Sequence, residues 1–231
     1  MAQVGNEVPT QETEDLGGGR LSDLAYRRVL EALFGKKLPA GAFVSQSDLV
    51  RLTGVPVGPL RDALRVLEAE GILTILPRAG IQFVKPGFEL TRSTYQFRSI
   101  LECAAVRVYA ETAKEDQIEQ LIADHQRAME GIRREGRTPE LHDRMESLED
   151  ALHGSIIGAL NNPLIESSYK RVWNYLRLLR LDRNLTAPPV LRSLGEHVQI
   201  LLACRSRDAD QAVVALQAHF SGALHRNLGL F

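Results

Sequence analysis

The stretch from Pro59 to Gly71, PLRDALRVLEAEG, decides the fold of the first part of the chain. Its leucines recur every three or four positions, as the buried residues of an amphipathic helix do. Two arginines, Arg61 and Arg65, share a different face of that helix. A proline is tolerated in a first helical turn, and a glycine commonly ends a helix. The stretch therefore predicts a helix that packs through its leucines and presents two arginines to solvent.

Two further helices are predicted before this one. Apolar residues within 21–33 fall at helical spacing and stop before a glycine. Ser45 and Asp48 form a Ser-x-x-Asp capping pattern that opens a short helix, and Gly54 closes it. Only a tight turn separates this short helix from the next one, which is the connection found in helix-turn-helix proteins.

A β-hairpin is predicted directly after the third helix. Two short runs rich in β-branched residues, 72–76 and 81–84, place Arg78 at the tip of the turn between them. Three helices followed by a hairpin form a winged helix-turn-helix, whose third helix fits the major groove of DNA. We expect Arg61 and Arg65 to reach phosphates or guanine edges, and Arg78 to reach the backbone or minor groove. The alternative is that these arginines are solvated surface residues.

Composition and charge are those of a globular protein. The chain has 231 residues, of which 44% are hydrophobic and 25% charged, and this excludes the disordered and collagen-like classes. The formal net charge is −1, yet residues 20–88 carry ten Lys or Arg against six Asp or Glu. A basic segment of this kind suits a polyanionic partner. No apolar run approaches the roughly 18 residues of a membrane helix and no signal peptide is recognised, so we expect a cytoplasmic protein without a membrane partner.

The sequence divides into three parts. Residues 1–19 are acidic and glycine-rich, which favours a disordered leader. Residues 20–88 form the winged helix-turn-helix domain, and residues 89–231 show helical periodicity without strand signals. Helix starts and stops in this last part predict six helices, over 91–113, 116–135, 139–160, 163–186, 189–205 and 208–228. The predicted fold class is mainly α: a winged helix-turn-helix followed by an all-α antiparallel bundle.

Several motifs of the first domain are shared with a known family. They are LPAG at 38–41, SDLV from Ser47 to Val50, and PLRDAL at 59–64. Together they resemble the GntR family of bacterial transcription regulators, and the resemblance implies DNA contacts from Arg61, Ser47 and Val57. Where the family usually has Ser-Arg-Thr this chain has Pro56-Val57-Gly58, so one arginine that often contacts DNA is missing. Val57 can contact at most a thymine methyl group.

Three histidines of the helical part lie on or beside the hydrophobic faces of three different predicted helices: His153, His197 and His219. Glu149 precedes His153 by four residues, so both side chains project from one side of a helix and can share one metal ion. A histidine in such a position is otherwise a satisfied core residue. His125, on the stripe of its own predicted helix, is most simply a core residue of this kind.

The helical part also resembles a known domain. Its motifs, in order, are EDALH at 149–153, NNPL at 161–164, EH at 196–197 and AH at 218–219. They resemble the FCD ligand-binding domain of the FadR-like GntR subfamily over about residues 90–228. The resemblance implies a divalent metal ion beside a small carboxylate effector, held here by Glu149, His153, His197 and His219. Glu149 replaces the usual aspartate. Such a donor set suits Zn, Ni, Mn or Fe, and a metal-free polar cavity is the alternative.

Two further residues are candidate effector ligands. Arg98 matches the arginine that opens the family's Arg-x-x-x-Glu pattern, and a buried guanidinium pairs bidentately with a carboxylate. Glu102, four residues later, offers a plain ion pair as the equal alternative. Asn162 is a lesser candidate, because an asparagine before a proline also commonly starts a helix.

These expectations combine into a homodimeric transcriptional regulator that is not an enzyme. The winged domain holds operator DNA, and a small organic acid bound in the helical domain changes the spacing of the two DNA-binding heads. Repression by blocking a promoter is the simpler mechanism. A metal-dependent hydrolase is one alternative, although the sequence has no HExxH, GxSxG or phosphate-loop motif. An effector-binding adaptor that has lost DNA binding is another, which Val57 and Gly58 favour slightly.

Overall fold

The computed structural model describes residues 18–136, 139–181 and 186–229. Two compact units divide the chain between Lys85 and Pro86, whereas the sequence places the boundary after residue 88. Most of the predicted leader, residues 1–17, lies outside the described residues, and Gly18 already belongs to the first helix. Across the described residues, no helix combines the length and the apolar character that crossing a membrane requires.

From residue 18 onward, the first unit contains three helices and a three-stranded antiparallel sheet of order β1-β3-β2. The elements are α1 Gly18–Phe34, β1 Phe43–Val44, α2 Gln46–Thr53, α3 Val57–Ala69, β2 Leu73–Leu76 and β3 Gly80–Phe83. The predicted three helices and hairpin are confirmed, and the fold is a winged helix-turn-helix. Strand β1 was not predicted, because a strand of two residues is too short to carry a periodic signal.

Helix α3 packs into the first unit through the leucines that the sequence predicts. Leu60, Leu64 and Leu67 are at most 2% exposed. The helix begins at Val57 instead of at the predicted Pro59, because Pro56 has non-helical backbone with a ψ of 155° and forms the N-cap. Val57 therefore lies in the first helical turn, where it is 44% exposed.

Helix α2 begins with the capping box that the sequence predicts. The Ser45 hydroxyl accepts a hydrogen bond from the Asp48 N–H at 3.1 Å, and the Asp48 carboxylate accepts one from the Ser45 N–H at 3.0 Å. We expect Ser45→Ala to cost about 1 kcal/mol of local stability, which corresponds to about fivefold faster amide hydrogen exchange across α2. Ser47→Ala is the matched control, since Ser47 is exposed, and should exchange like the wild type. Equal exchange rates in the two variants would contradict the capping role.

Strands β2 and β3 form the wing. They pair antiparallel up to Leu76 opposite Gly80, and residues 77–79 close the turn. Arg78 adopts a left-handed backbone with a φ of 62°, and its side chain is exposed at the tip. Gly80 is required where the strands meet β1, because a Cβ there would lie 2.8 Å from the carbonyl oxygen of Val44 at a φ of +146°.

The second unit is an all-helical bundle. Its elements are α4 Phe88–Thr112, α5 Glu115–Glu135, α6 Pro139–Gly158, α7 Pro163–Arg180, α8 Ala187–Arg205 and α9 Ala209–Leu228. The six predicted helices are confirmed. The largest difference in bounds is at α7, which ends at Arg180 and not at the predicted residue 186, and residues 182–185 of that prediction lie outside the described residues. Helix α8 starts two residues early because two prolines fit its first turn.

Helix α4 contacts α6, α7, α8 and α9, and α5 packs against α6 and α8. The core between them contains fully buried aliphatic side chains, among them Ile118, Leu152, Ile156, Ile200, Leu201 and Leu216. Several histidines and charged side chains are inserted into the same interior. Because buried polar groups are almost always hydrogen-bonded, the partners of these side chains show how the site is built.

Candidate metal centre and nucleic-acid interface

Three buried imidazoles meet inside the second unit. His153 of α6, His197 of α8 and His219 of α9 are at most 1% exposed. One ligand atom from each histidine lies within 4.8 Å of the others. Each residue occupies the core-facing side of its helix, which is why the sequence shows it beside hydrophobic neighbours. The structure thus brings together three of the four residues expected to ligate a metal ion.

Two of these imidazoles are oriented by carboxylates. The Nδ1 atom of His153 donates to Oε2 of Glu102 at 2.6 Å. The Nδ1 atom of His219 donates to Oε2 of Glu196 at 2.8 Å. A carboxylate can only accept these hydrogen bonds, so the proton sits on Nδ1 in both rings. Carboxylate–histidine pairs of this kind fix the orientation of metal-binding histidines.

The third imidazole is oriented by a fourth histidine. The Nδ1 atom of His125 lies 2.8 Å from the carbonyl oxygen of Leu121, which can only accept, so this Nδ1 carries a proton. The Nε2 atom of His125 is then an acceptor, and it receives the Nδ1 proton of His197 at 3.2 Å. Burial lowers the pKa of His125 and therefore keeps this ring neutral. The sequence predicts His125 only as a core residue, and it is fully buried.

These hydrogen bonds aim three lone pairs at one point. With every Nδ1 protonated, each Nε2 is an acceptor, and the ligand atoms of the three rings lie within 4.8 Å of one another. The Nε2 atom of His153 is buried and has no hydrogen-bond partner among the described residues. The Nε2 atoms of His197 and His219 lie 3.3 Å apart. Facing lone pairs repel, and a buried unpartnered nitrogen costs about 1–3 kcal/mol, so a cation between them removes both penalties.

Glu149 adjoins the three imidazoles. Its Oε1 lies 3.5 Å from Nε2 of His197, and its Oε2 lies 3.9 Å from Nε2 of His153. Oε2 also accepts a hydrogen bond from Nη2 of Arg180 at 2.7 Å. Although burial acts to raise it, the pKa of Glu149 is well below its usual range because of the positive charge of Arg180. The longer side chain therefore reaches the cluster as a carboxylate.

Burial favours the neutral form of two of these histidines. Burial lowers the pKa of His153 well below its usual range, and the positive charge of Arg98 lowers it further. Burial does the same to the pKa of His197. Neutral imidazoles keep their lone pairs available at pH 7, as metal ligation requires.

Arg98 is bound inside the core. Its Nε and Nη2 donate to the two carboxylate oxygens of Glu102 at 2.6 and 3.4 Å, and it is 1% exposed. Its guanidinium carbon lies 4.7 Å from the centre of the Phe220 ring. Of the two roles considered for Arg98, the structure shows the ion pair with Glu102. Because Glu102 also accepts from His153, Arg98 supports a histidine of the cluster. An effector contact by Arg98 stays a prediction.

Asn162 caps helix α7. Its side-chain oxygen accepts hydrogen bonds from the N–H groups of Leu164 and Ile165 at 3.0 and 3.4 Å, and the residue is exposed. This is the helix-start role that asparagine before proline favours. An effector contact by Asn162 stays a prediction.

Two arginines of the site were not predicted from the sequence. Arg180 holds Glu149, and Arg226 donates to both carboxylate oxygens of Glu196 at 2.8 and 2.6 Å. Each arginine lies more than 25 residues from its partner along the chain. No local spacing connects such pairs, so only the packing of the helices reveals them.

The five predicted DNA-contacting residues all lie at the surface of the first unit: Ser47, Val57, Arg61, Arg65 and Arg78. The Arg61 Nε donates to Oε1 of Gln46 at 3.3 Å, which places its guanidinium beside the start of α2. The Arg65 side chain is 75% exposed and lies 3.8 Å from the Asp62 carboxylate. Gln46 is a further polar residue on this surface that the sequence did not single out.

A known family pattern matches the second unit. The pattern of the FCD domain matches residues 93–222, more than half of the chain. The chain belongs to the FCD family. With its winged helix-turn-helix, this FCD protein is a transcriptional regulator of the GntR family.

The FCD protein has relatives along most of its length. It is 22% identical over 199 residues to the HTH-type transcriptional regulator YdhC of Bacillus subtilis (strain 168), covering 85% of this chain and 86% of YdhC. The solved structure of E. coli McbR/YncC has a TM-score of 0.75 at 15% identity and covers 90% of this chain and 97% of that one. A GntR transcriptional regulator from Rhodococcus sp. RHA1 has a TM-score of 0.72 at 19% identity, covering 92% and 99% of the two chains. Both structures show the same fold.

Proposed function

We propose that this FCD-family regulator binds operator DNA as a homodimer and that a small organic acid controls its affinity. The acid binds in the second unit beside a divalent metal ion. The observation that carries the proposal is the convergence of three imidazole lone pairs next to the Glu149 carboxylate. Repression by occupying a promoter is the simplest outcome of such binding.

The donor set fits a first-row divalent ion. Glu149, His153, His197 and His219 offer one carboxylate and three neutral imidazoles, which suit Zn, Ni, Mn or Fe. When bound, the ion acts as a Lewis acid that attracts a carboxylate oxygen of the effector. The hydrogen bonds from the histidine Nδ1 atoms keep the ligands in the correct tautomer.

The geometry gives a hydrolase little support. A metal-dependent hydrolase needs a general base in addition to the ligands. Glu149 belongs to the donor set and is also held by Arg180. Glu102 and Glu196 are each bound to a histidine and an arginine. All three carboxylates are thus engaged in orienting or holding the cluster.

An exposed apolar stripe on α4 supports the homodimer. Phe97 and Ile100, three residues apart on one face of the helix, are 40% and 66% exposed. Exposed apolar side chains that lie together mark interaction surfaces. A two-fold dimer places identical DNA-binding units on a palindromic operator.

The dimer surface can be tested with one substitution. We expect Ile100→Glu to convert the dimer to a monomer in analytical ultracentrifugation, because two buried carboxylates would face each other across a two-fold interface. Leu164→Glu is the matched control: Leu164 is 79% exposed at the start of α7, so this variant should remain a dimer. If the Ile100→Glu variant remains a dimer, this face of α4 is not the dimer interface.

The function as a whole is tested by fluorescence anisotropy with the DNA upstream of the protein's own gene. The titration is run over a salt series, with and without a chelator, and with a set of organic acids. We expect specific binding with a steep salt dependence and release by one acid in the metal-loaded protein. Absence of specific binding under every condition would overturn operator binding and favour an effector-binding adaptor.

A further inference from the structure

A tyrosine hydroxyl near the histidine cluster has no hydrogen-bond partner among the described residues. Tyr169 of α7 is 5% exposed, and its hydroxyl oxygen is buried. Burial raises the pKa of Tyr169 well above its usual range, and the negative charges of Glu102 and Glu149 raise it further. Tyr169 belongs to the same buried core as Leu152 and Phe220, the sequence neighbours of His153 and His219, and its hydroxyl keeps its proton. A metal ion ligated by His153 is a cation and cannot accept a hydrogen bond. The Tyr169 hydroxyl therefore still lacks an acceptor when the ion is bound.

Arg180 is the accessible arginine of the same region. Its side chain is 23% exposed, whereas that of Arg98 is 1% exposed. Among the described contacts, Arg180 uses a single N–H group on Glu149, and a guanidinium has five. Arg98 uses Nε and Nη2 on Glu102 and packs over Phe220. Arg180 therefore retains both the donors and the access that a carboxylate ligand needs.

Tyr169 and Arg180 lie on one face of α7. They are eleven residues apart, which is close to three full turns at 3.6 residues per turn. Helix α7 packs against α4 and α6, which carry Glu102 and Glu149. Glu149 contacts Arg180 directly and also acts on the pKa of Tyr169. One helix face thus presents a guanidinium and a phenol to the same site.

The charges around the cluster add a requirement on the ligand. Each of the three carboxylates is paired with one arginine: Glu102 with Arg98, Glu149 with Arg180, and Glu196 with Arg226. An imidazole that ligates the ion through Nε2 and keeps its proton on Nδ1 is neutral. A divalent ion therefore adds two positive charges that no described group of the cluster balances. Uncompensated charge in a buried site is costly, so an anion must accompany the ion.

We propose that Arg180 and Tyr169 bind the effector and that the effector is a small dicarboxylate. Arg180 pairs with a carboxylate, and Tyr169 donates a hydrogen bond to an effector oxygen. The two negative charges balance the metal ion. This inference rests on the proposed function, because it takes the metal-bound state as the one that receives the effector.

Calorimetric titration of the metal-loaded full-length protein tests the proposal. The probes are malonate, succinate and glutarate, together with the half-amide and diamide of each, which keep the shape but carry charges of −1 and 0. We expect at least one dicarboxylate to bind at least tenfold more tightly than its half-amide, and the diamide to bind least. The fluorescence of Trp173, the single tryptophan, gives a second readout because it lies on α7 between the two residues.

Two variants separate effector binding from support of the metal site. Arg180→Gln should reduce the preference for dicarboxylate over half-amide to below about threefold, and Tyr169→Phe should weaken dicarboxylate binding about tenfold at unchanged metal content. If Arg180 only holds Glu149, Arg180→Gln will lower metal affinity but leave the preference intact. That result would overturn the proposal. So would wild-type binding in both variants, and so would the absence of binding for every dicarboxylate. Operator binding is measured in a separate experiment. The proposed regulator function can therefore be confirmed even if dicarboxylate binding by Arg180 and Tyr169 is refuted.

Discussion

Replacing Arg61 with alanine is expected to weaken operator binding at least tenfold. Arg61 is exposed on α3, the helix that a winged helix-turn-helix places in the major groove. A good arginine contact to a guanine edge contributes about 1–3 kcal/mol, and tenfold corresponds to about 1.4 kcal/mol. Because residue 57 is a valine where the family resemblance implies an arginine, we expect more of the base readout to depend on Arg61.

The contact with Gln46 strengthens this expectation. The Arg61 Nε donates to the Gln46 side chain, which leaves the terminal nitrogens of the guanidinium for DNA. An arginine held at one end loses less side-chain entropy when it binds a base edge. Gln46→Ala should therefore weaken specific binding by a smaller factor than Arg61→Ala, because it removes the support but not the contacting group.

Arg65→Ala is the matched control for Arg61→Ala. Arg65 lies one turn later on α3 and is 75% exposed. Loss of a phosphate contact lowers affinity for all sequences alike and reduces the slope of log affinity against log salt by about one. Loss of base readout instead lowers the ratio of specific to non-specific binding. Gel-shift titrations on operator and scrambled DNA distinguish the two, and unchanged operator affinity for Arg61→Ala would contradict its assignment.

The fold was predictable because its signals are local. The leucine stripe of α3, the capping box of α2 and the helix stops of the bundle all lie within a few residues of each other. Strand β1 was missed because it depends on pairing with β3, which is distant in sequence. The end of α7 was misplaced because no proline or glycine follows Arg180 directly to mark it.

Only part of the candidate site was predictable, because sequence signals are local and many contacts of the site join distant residues. The i, i+4 spacing and a family resemblance single out Glu149 and the three histidines. Their partners come from other helices: His125 of α5 binds His197 of α8, and Arg180 of α7 binds Glu149 of α6. Glu102 has one contact that the sequence predicts and one that it does not. Its spacing predicts the ion pair with Arg98, yet its contact with His153 follows only from the packing of α4 against α6.

Metal binding is expected to stabilise the second unit strongly. Adding Zn, Ni, Mn or Fe to chelator-treated, untagged protein should give about one ion per chain. A ligand at about a thousandfold excess over its Kd contributes about 4 kcal/mol, which raises the Tm of a unit of this size by on the order of 10 °C. Elemental analysis gives the stoichiometry, and differential scanning calorimetry gives the Tm.

His197→Ala should abolish both effects, because it removes a ligand from the centre of the cluster. The Nε2 atom of His197 faces Glu149 at 3.5 Å and His219 at 3.3 Å. His225→Ala is the matched control: His225 lies on α9, as His219 does, but is exposed, so this variant should bind metal like the wild type. The Tm response is the difference between the metal-loaded and the metal-free form of the same variant, so a change in the variant's own stability does not alter this readout.

His125→Ala separates ligation from orientation. Among the described contacts, His125 reaches the cluster through His197, so its loss leaves every proposed ligand in place. Loss of a residue that orients a ligand typically costs 10- to 100-fold in metal affinity. The variant should therefore still take up about one ion at saturating metal, but with a higher Kd. Full loss of binding would make His125 a ligand itself, and less than about 0.2 ions per wild-type chain after reconstitution would refute the metal centre.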